Sequence, residues 1–208
     1  MAEKTSGIYK LVTIPSVYEA FQNLLGGLSA RRAFRDEFFP DVAGKSVLEV
    51  GCGPGTWFPE MEGCASYLGM DWNEEHIEQA NERYGSETTR FLCGDVSKDI
   101  SADQQQFDYI FAFGILHHLD DKQAAALLSV CSALLSPASK FLSIDPVYHE
   151  GQNRFAKWMC DRDSGQDIRN ETGYRALAEE NFHSITTTVC TDKLRIPYSH
   201  CVMVASQA

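Results

Sequence analysis

The run Val47-Leu48-Glu49-Val50-Gly51-Cys52-Gly53-Pro54-Gly55 constrains this chain more than any other stretch. Its first half reads as a buried strand, which in an α/β sheet is near-continuously apolar. Gly51, Gly53 and Gly55 then let the backbone turn tightly and let a ligand approach the main chain where a Cβ would clash. Glu49, a carboxylate inside the apolar run, is the anomaly to be explained.

With 208 residues, 44% of them hydrophobic, the chain fits one domain with room for an insertion and a real core. A formal net charge of -11 repels polyanions, and no Lys/Arg run follows a phosphate backbone. Nucleic acid and anionic membrane are therefore not expected partners. Seven cysteines without a CxxC pair suit reduced thiols in a cytoplasm rather than a disulfide or zinc framework. The first ten residues lack a signal-peptide core, and no span of ~20 apolar residues is present. The expectation is a soluble, cytoplasmic protein.

Apolar spacing predicts helices over residues 15–26 and 29–39, ahead of the first strand, as an edge cover or a lid. Strands are expected at 66–71, 89–93, 107–113 and 141–145, with helices over 74–84, capped by Asn73, and 122–135. A polar loop fills 97–106, and Pro146 is expected to end the fifth strand. This alternation predicts a parallel, doubly wound, Rossmann-like α/β sheet of seven strands. A helix over 171–180 and strands at 183–190 and 198–206 close the chain as an antiparallel hairpin. The expected organisation is a single domain, 1–208, comprising N-terminal helices (1–40), a cofactor-binding core (41–146), an insertion near the substrate site (147–170) and the C-terminal helix and hairpin (171–208).

A dinucleotide fingerprint needs G-x-G-x-x-G, and here Thr56 stands where the third glycine belongs. That weakens a nicotinamide or flavin reading. Glu49-x-Gly51-x-Gly53-x-Gly55, with Asp71 ending the second strand, Gly94-Asp95-Val96 after the third and Phe107 to Phe113 as the fourth, resembles the class I S-adenosylmethionine-dependent methyltransferases. The resemblance implies that S-adenosyl-L-methionine is the cofactor and S-adenosyl-L-homocysteine the product. It implies that the turn at Gly51, Cys52, Gly53 and Gly55 wraps the amino-acid tail, with Glu49 fixing the turn and the ammonium end. Asp71 would accept both ribose hydroxyls, Asp95 the adenine amino group and the Val96 amide the ring. Phe113 and Gly114 would supply backbone near the methionine amino group, and Trp72 either stacks on adenine or packs.

Tyr18 to Gln22, His117-His118-Leu119-Asp120-Asp121, Asp145-Pro146-Val147-Tyr148 with Gln152, Asp161-Arg162-Asp163 with Arg169, and Arg195 to His200 resemble a group of small bacterial methyltransferases of unassigned substrate. Two departures stand out. Ser136-Pro137-Ala138-Ser139-Lys140 replaces the usual Pro-Gly-Gly turn, and Asp163-Ser164-Gly165 spaces out an expected Asp-Arg-Gly.

On the acceptor side, His117 and His118 are candidate general bases, because an imidazole titrates near neutrality. The alternative is a histidine pair that packs and bonds loop carbonyls. Tyr148 is the third candidate catalytic residue; with Arg154 it would bind an acceptor, unless the insertion is a salt-bridged structure instead. No metal is expected, since adjacent residues such as His117, His118, Asp120 and Asp121 rarely converge on one ion and nothing at i+3 or i+4 completes a set. The tetrad used by base-amino methyltransferases is absent, which with the acidic charge argues against a flipped base. The leading expectation is O- or N-methylation of a small molecule. A nicotinamide-dependent oxidoreductase and a non-catalytic S-adenosylmethionine-binding protein are the alternatives.

Overall fold

The computed structural model describes residues 27–207 apart from 102 and 104, so the helix expected over 15–26 lies outside the described residues. Helix α1 (Gly27–Phe38) leads into β1 (Ser46–Val50), a 3-10 turn (Phe58–Met61) and β2 (Ser66–Asp71). Then come α2 (Glu74–Tyr84), β3 (Thr89–Cys93), α3 (Val96–Asp99), β4 (Phe107–Phe113), α4 (Asp121–Leu134) and β5 (Leu135–Tyr148). The chain closes with α5 (Arg154–Cys160), β6 (Arg169–Asn170), α6 (Glu171–Ala178), β7 (Ser184–Cys190) and β8 (His200–Ser206).

The helix starts follow from side chains that satisfy free backbone donors. Asn73 accepts from the His76 amide at α2, and Asp120 with Gln123 forms a reciprocal capping box at α4. Asp95 caps a single turn, α3, at the start of what reads as polar loop.

The sheet runs β3-β2-β1-β4-β5-β8-β7, with the short β6 paired to β5 off this path. Pairs among β1 to β5 are parallel, whereas β8 is antiparallel to both β5 and β7. The closing hairpin therefore does not simply extend the sheet: its second strand slips between β5 and the first. The reason is composition. In β8, Cys201, Val202, Met203 and Ala205 are buried, so it belongs inside the sheet, while the threonine-rich β7 is mostly part-exposed and takes the edge. Apolar side chains from the two faces build two core clusters.

β5 is longer than the apolar run predicts. It includes Ser136 to Lys140, where the pairing with β4 is irregular and Ala138 adopts φ 63°, and it continues through Pro146. The Ile144 carbonyl faces β4, accepting from the Gly114 amide at 2.8 Å. Two residues further on, Pro146 presents its missing N–H toward the same edge, beyond the end of β4, so no ladder bond is lost there. Val147 and Tyr148 continue the strand against β6.

Candidate active site

The chain runs outward from β1 to β3 in one direction and from β4 to β5 in the other, so the strand order reverses between β1 and β4. A crevice for ligand forms outside the carboxyl ends of strands at such a switch point. Here the glycine turn follows β1, Asp71 ends β2, Gly94-Asp95 follows β3, Gly114 to His118 follow β4, and Asp145 to Tyr148 form the end of β5.

The glycine turn is held from β2. The amides of Gly51 and Cys52 both donate to the Met70 carbonyl, at 2.7 and 3.1 Å, and the Gly53 amide donates to Asp71 Oδ2 at 2.9 Å. Asp71 Oδ1 accepts from the Asn73 amide at 2.9 Å, so each carboxylate oxygen carries one backbone bond and keeps a lone pair for another donor. Gly51, Gly53 and Gly55 all have positive φ. A Cβ on Gly51 would stand 2.0 Å from Ile115 Cδ1, whereas one on Gly53 would meet nothing within 4 Å. The middle glycine thus leaves a backbone cradle open to a ligand, and the outer two let the turn pack. Cys52 turns its thiol inward, and burial pushes its ionisation far up. Beside Asp71, the Trp72 ring is 89% exposed, rare for so large an apolar group.

Glu49 lies beneath the turn, 1% exposed, and accepts a hydrogen bond from the Tyr67 hydroxyl. Burial raises its pKa to about 8, against the opposing hydrogen bond from Tyr67. The folded protein thus holds a proton that the unfolded chain releases near pH 4.5. Stability should fall as pH rises from about 4.5 to about 8 and level off above that. The contribution is at most about 1.4 kcal/mol per pH unit. Glu49→Gln should flatten this window, as read from urea midpoints at several pH values; an unchanged slope would remove the assignment.

Asp95, expected to receive adenine, is engaged in the structure. Its carboxylate takes Lys98 Nζ at 2.6 Å and the Ser97 amide and hydroxyl at 2.9 and 2.6 Å, which hold its pKa at about 2. Val96 is buried. Phe113 is also buried, its ring centroid 4.2 Å from that of Trp57, and Gly114 has φ 69°.

The two histidines have separate environments. His117 is buried: Nδ1 lies 2.9 Å from Asp145 Oδ1 and Nε2 lies 3.3 Å from Asp163 Oδ1. Burial alone would lower its pKa, but the two carboxylates lift it to about 9. Burial would likewise raise Asp163, yet His117, the Gly165 amide and the Tyr198 hydroxyl hold it at about 2. His118 is exposed, its ring centroid 4.1 Å from that of His117; burial of part of the ring and the neighbouring His117 charge lower its pKa. Tyr148 donates its hydroxyl to Asp161 Oδ1 at 2.9 Å, with Lys157 Nζ 4.8 Å from its ring centroid.

Segment 161–170 wraps the histidine turn. The Asp167 amide donates to the His117 carbonyl at 3.0 Å, and Arg169 donates to the Leu116 and Leu119 carbonyls and to Asp121. Sequence reasoning missed Asp145, Asp163 and Tyr198 as members of this constellation. A carboxylate ending an otherwise apolar strand was the available signal for Asp145. Asp120 and Asp121 do not join it, since the first caps α4 and the second pairs with Arg169. A cleft of about 580 Å³ lined by Arg35, Phe39, Val42 and Glu60 also lies apart from these residues.

Residues 47–138 match the family model described as a methyltransferase domain. Juvenile hormone acid O-methyltransferase of Bombyx mori is 32% identical over 90 residues, covering 39% of this chain and 32% of that protein. Phosphoethanolamine N-methyltransferase of Triticum aestivum is 32% identical over 143 residues, covering 65% of this chain and 25% of that protein. The chain thus spans between a quarter and a third of the length of these relatives. The fold is shared with magnesium protoporphyrin IX methyltransferase from Synechocystis PCC 6803, solved with S-adenosylhomocysteine bound: TM-score 0.64, 15% identity, covering 100% of this chain and 90% of that one. Residues 47–138 therefore resemble a methyltransferase domain in sequence, and the chain shares the fold of a solved methyltransferase. Among the described residues, no helix is long and apolar enough to cross a membrane.

Proposed function

We propose that the protein is a cytoplasmic S-adenosylmethionine-dependent methyltransferase that methylates a small molecule on oxygen or nitrogen. The observation that carries this reading is the glycine turn itself, tied to Asp71 through the Gly53 amide and open at the one position where a ligand needs room. The donor set fits the cofactor: backbone for the amino-acid tail, Asp71 lone pairs for ribose hydroxyls, and an exposed Trp72 ring for adenine. Glu49 supports the turn from below through its pairing with Tyr67.

S-adenosylmethionine, when bound, supplies an electrophilic methyl group on a sulfonium. The chain's own task is then to bind, align and exclude water, and such positioning is worth ~7 to 11 kcal/mol of barrier. His118 and Tyr148 stand on the acceptor side, while His117, held by carboxylates at both ring nitrogens, positions the turn. Residues 147–170 act as the acceptor-side insertion of a single methyltransferase domain. The net charge of -11 supports a small acceptor rather than a nucleic acid.

Calorimetry with S-adenosylmethionine and S-adenosylhomocysteine should show one site per chain at micromolar affinity, and a screen of hydroxyl and amine acceptors should release S-adenosylhomocysteine. Failure to bind either ligand would overturn the reading. Binding without turnover on any acceptor would favour a cofactor-binding regulator.

A further inference from the structure

We propose that His117, His118 and Asp163 form a binding site for one divalent transition-metal ion, with Asp145 and Tyr198 as its supporting shell. One ligand atom from each of the three lies within 4.8 Å of the others. Two imidazoles and one carboxylate on one side of an ion leave its remaining positions open, the pattern of zinc and non-haem iron sites. Asp163 comes from the insertion, which is why the sequence argument, limited to the histidine turn, finds no third ligand.

The support around these donors is of the kind metal ligands require. His117 presents Nδ1 to Asp145, which fixes the ring and aims Nε2 at Asp163. Asp163 is oriented in turn by the Gly165 amide at 2.9 Å on Oδ1 and the Tyr198 hydroxyl at 2.8 Å on Oδ2. The ligands are graded in exposure, from buried His117 through part-exposed Asp163 to exposed His118, so the open positions face solvent. Gly114 places the site beside the end of β4, since a Cβ there would lie 3.6 Å from His117 Cε1.

Charge balance points the same way. Asp145 is 1% exposed, and among the described residues its Oδ2 has no hydrogen-bond partner. A buried carboxylate oxygen left without a partner is costly, and a dication held by two neutral imidazoles beside Asp145 and Asp163 sums to zero charge. Coordination requires Nε2 to give its proton to solvent. If the methyltransferase reading holds, the open positions would take the acceptor's heteroatom, favouring hydroxyl or carboxylate acceptors over simple amines.

The test uses the whole protein, stripped with chelator and titrated with Zn(II) by calorimetry and with Co(II) by visible absorption. One ion per chain is expected, with ligand-field bands for Co(II). His118→Ala, which removes an exposed side chain, and Asp163→Asn should each weaken binding on the order of 100-fold, and Asp145→Asn by about 10- to 100-fold. Absence of stoichiometric binding, or binding unchanged in His118→Ala and Asp163→Asn, would overturn the site. S-adenosylhomocysteine affinity of the stripped protein should be intact, so loss of the metal site and loss of the cofactor reading are separate results.

Discussion

Gly53→Val should abolish measurable S-adenosylmethionine binding, raising Kd on the order of 100-fold or more, while leaving the protein folded. Both halves follow from the same geometry. Gly53 sits at φ 52°, yet a Cβ there meets no heavy atom within 4 Å, so the added Cβ meets backbone strain but no internal clash. Left-handed backbone costs an L-residue about 1 to 2 kcal/mol. The valine side chain then projects into the opening that the cofactor's amino-acid tail needs, and a tail displaced by even an ångström loses its backbone contacts. Calorimetry with thermal melts resolves the two effects. Gly51→Ala is the contrasting control: its Cβ would stand 2.0 Å from Ile115 Cδ1, so stability should fall before binding is measured. Full affinity in Gly53→Val would move the cofactor away from this turn.

Gly165→Ala should loosen the acceptor side without touching the cofactor side. A Cβ at Gly165 would stand 2.1 Å from His117 Cδ2 and 2.6 Å from the His117 carbonyl oxygen, and the second of these is backbone that cannot rotate away. Overpacking of this kind typically costs 1–3 kcal/mol, so a loss of about 2 kcal/mol is expected. Because the same movement separates Asp163 from His117, metal uptake and methyl transfer should both drop, on the order of 10-fold or more. S-adenosylhomocysteine affinity should stay within about 2-fold of the parent, since Gly53 lies in the turn after β1 and Asp71 ends β2. Parental stability and metal uptake together would show that segment 161–170 is not anchored on the histidine turn.

The halves of the site differed in how far they could be read in advance. The cofactor side is a local matter: a strand, a glycine turn, an acid at the end of the next strand and a cap after the third follow one another within one stretch of chain. Asn73 at the start of α2 and the bounds of β2, β3 and β4 are read directly from capping and periodicity. Even here the partners were not visible. The spacing of Glu49 and Asp95 names neither Tyr67, which donates to Glu49 from the neighbouring strand, nor Lys98, which donates to Asp95. Register across strands decides which side chains meet, and it is read only once the pairing of β1 with β2 is known.

The acceptor side is assembled from distant pieces. His117 follows β4, Asp145 ends β5, Asp163 lies in the insertion and Tyr198 precedes β8, so no spacing rule links them. The order of the last strands has the same character, because either member of a hairpin can take the inner place until burial decides between a threonine-rich strand and an apolar one.

The sequence by itself determined the doubly wound sheet and the strand that ends in the glycine turn, because periodicity, capping and φ preference act within a few residues. Only the tertiary structure decided that His117 and His118 have different lives, one clamped between two carboxylates and one open to solvent. The physical reason is that burial and charge neighbourhood depend on which distant segments pack together.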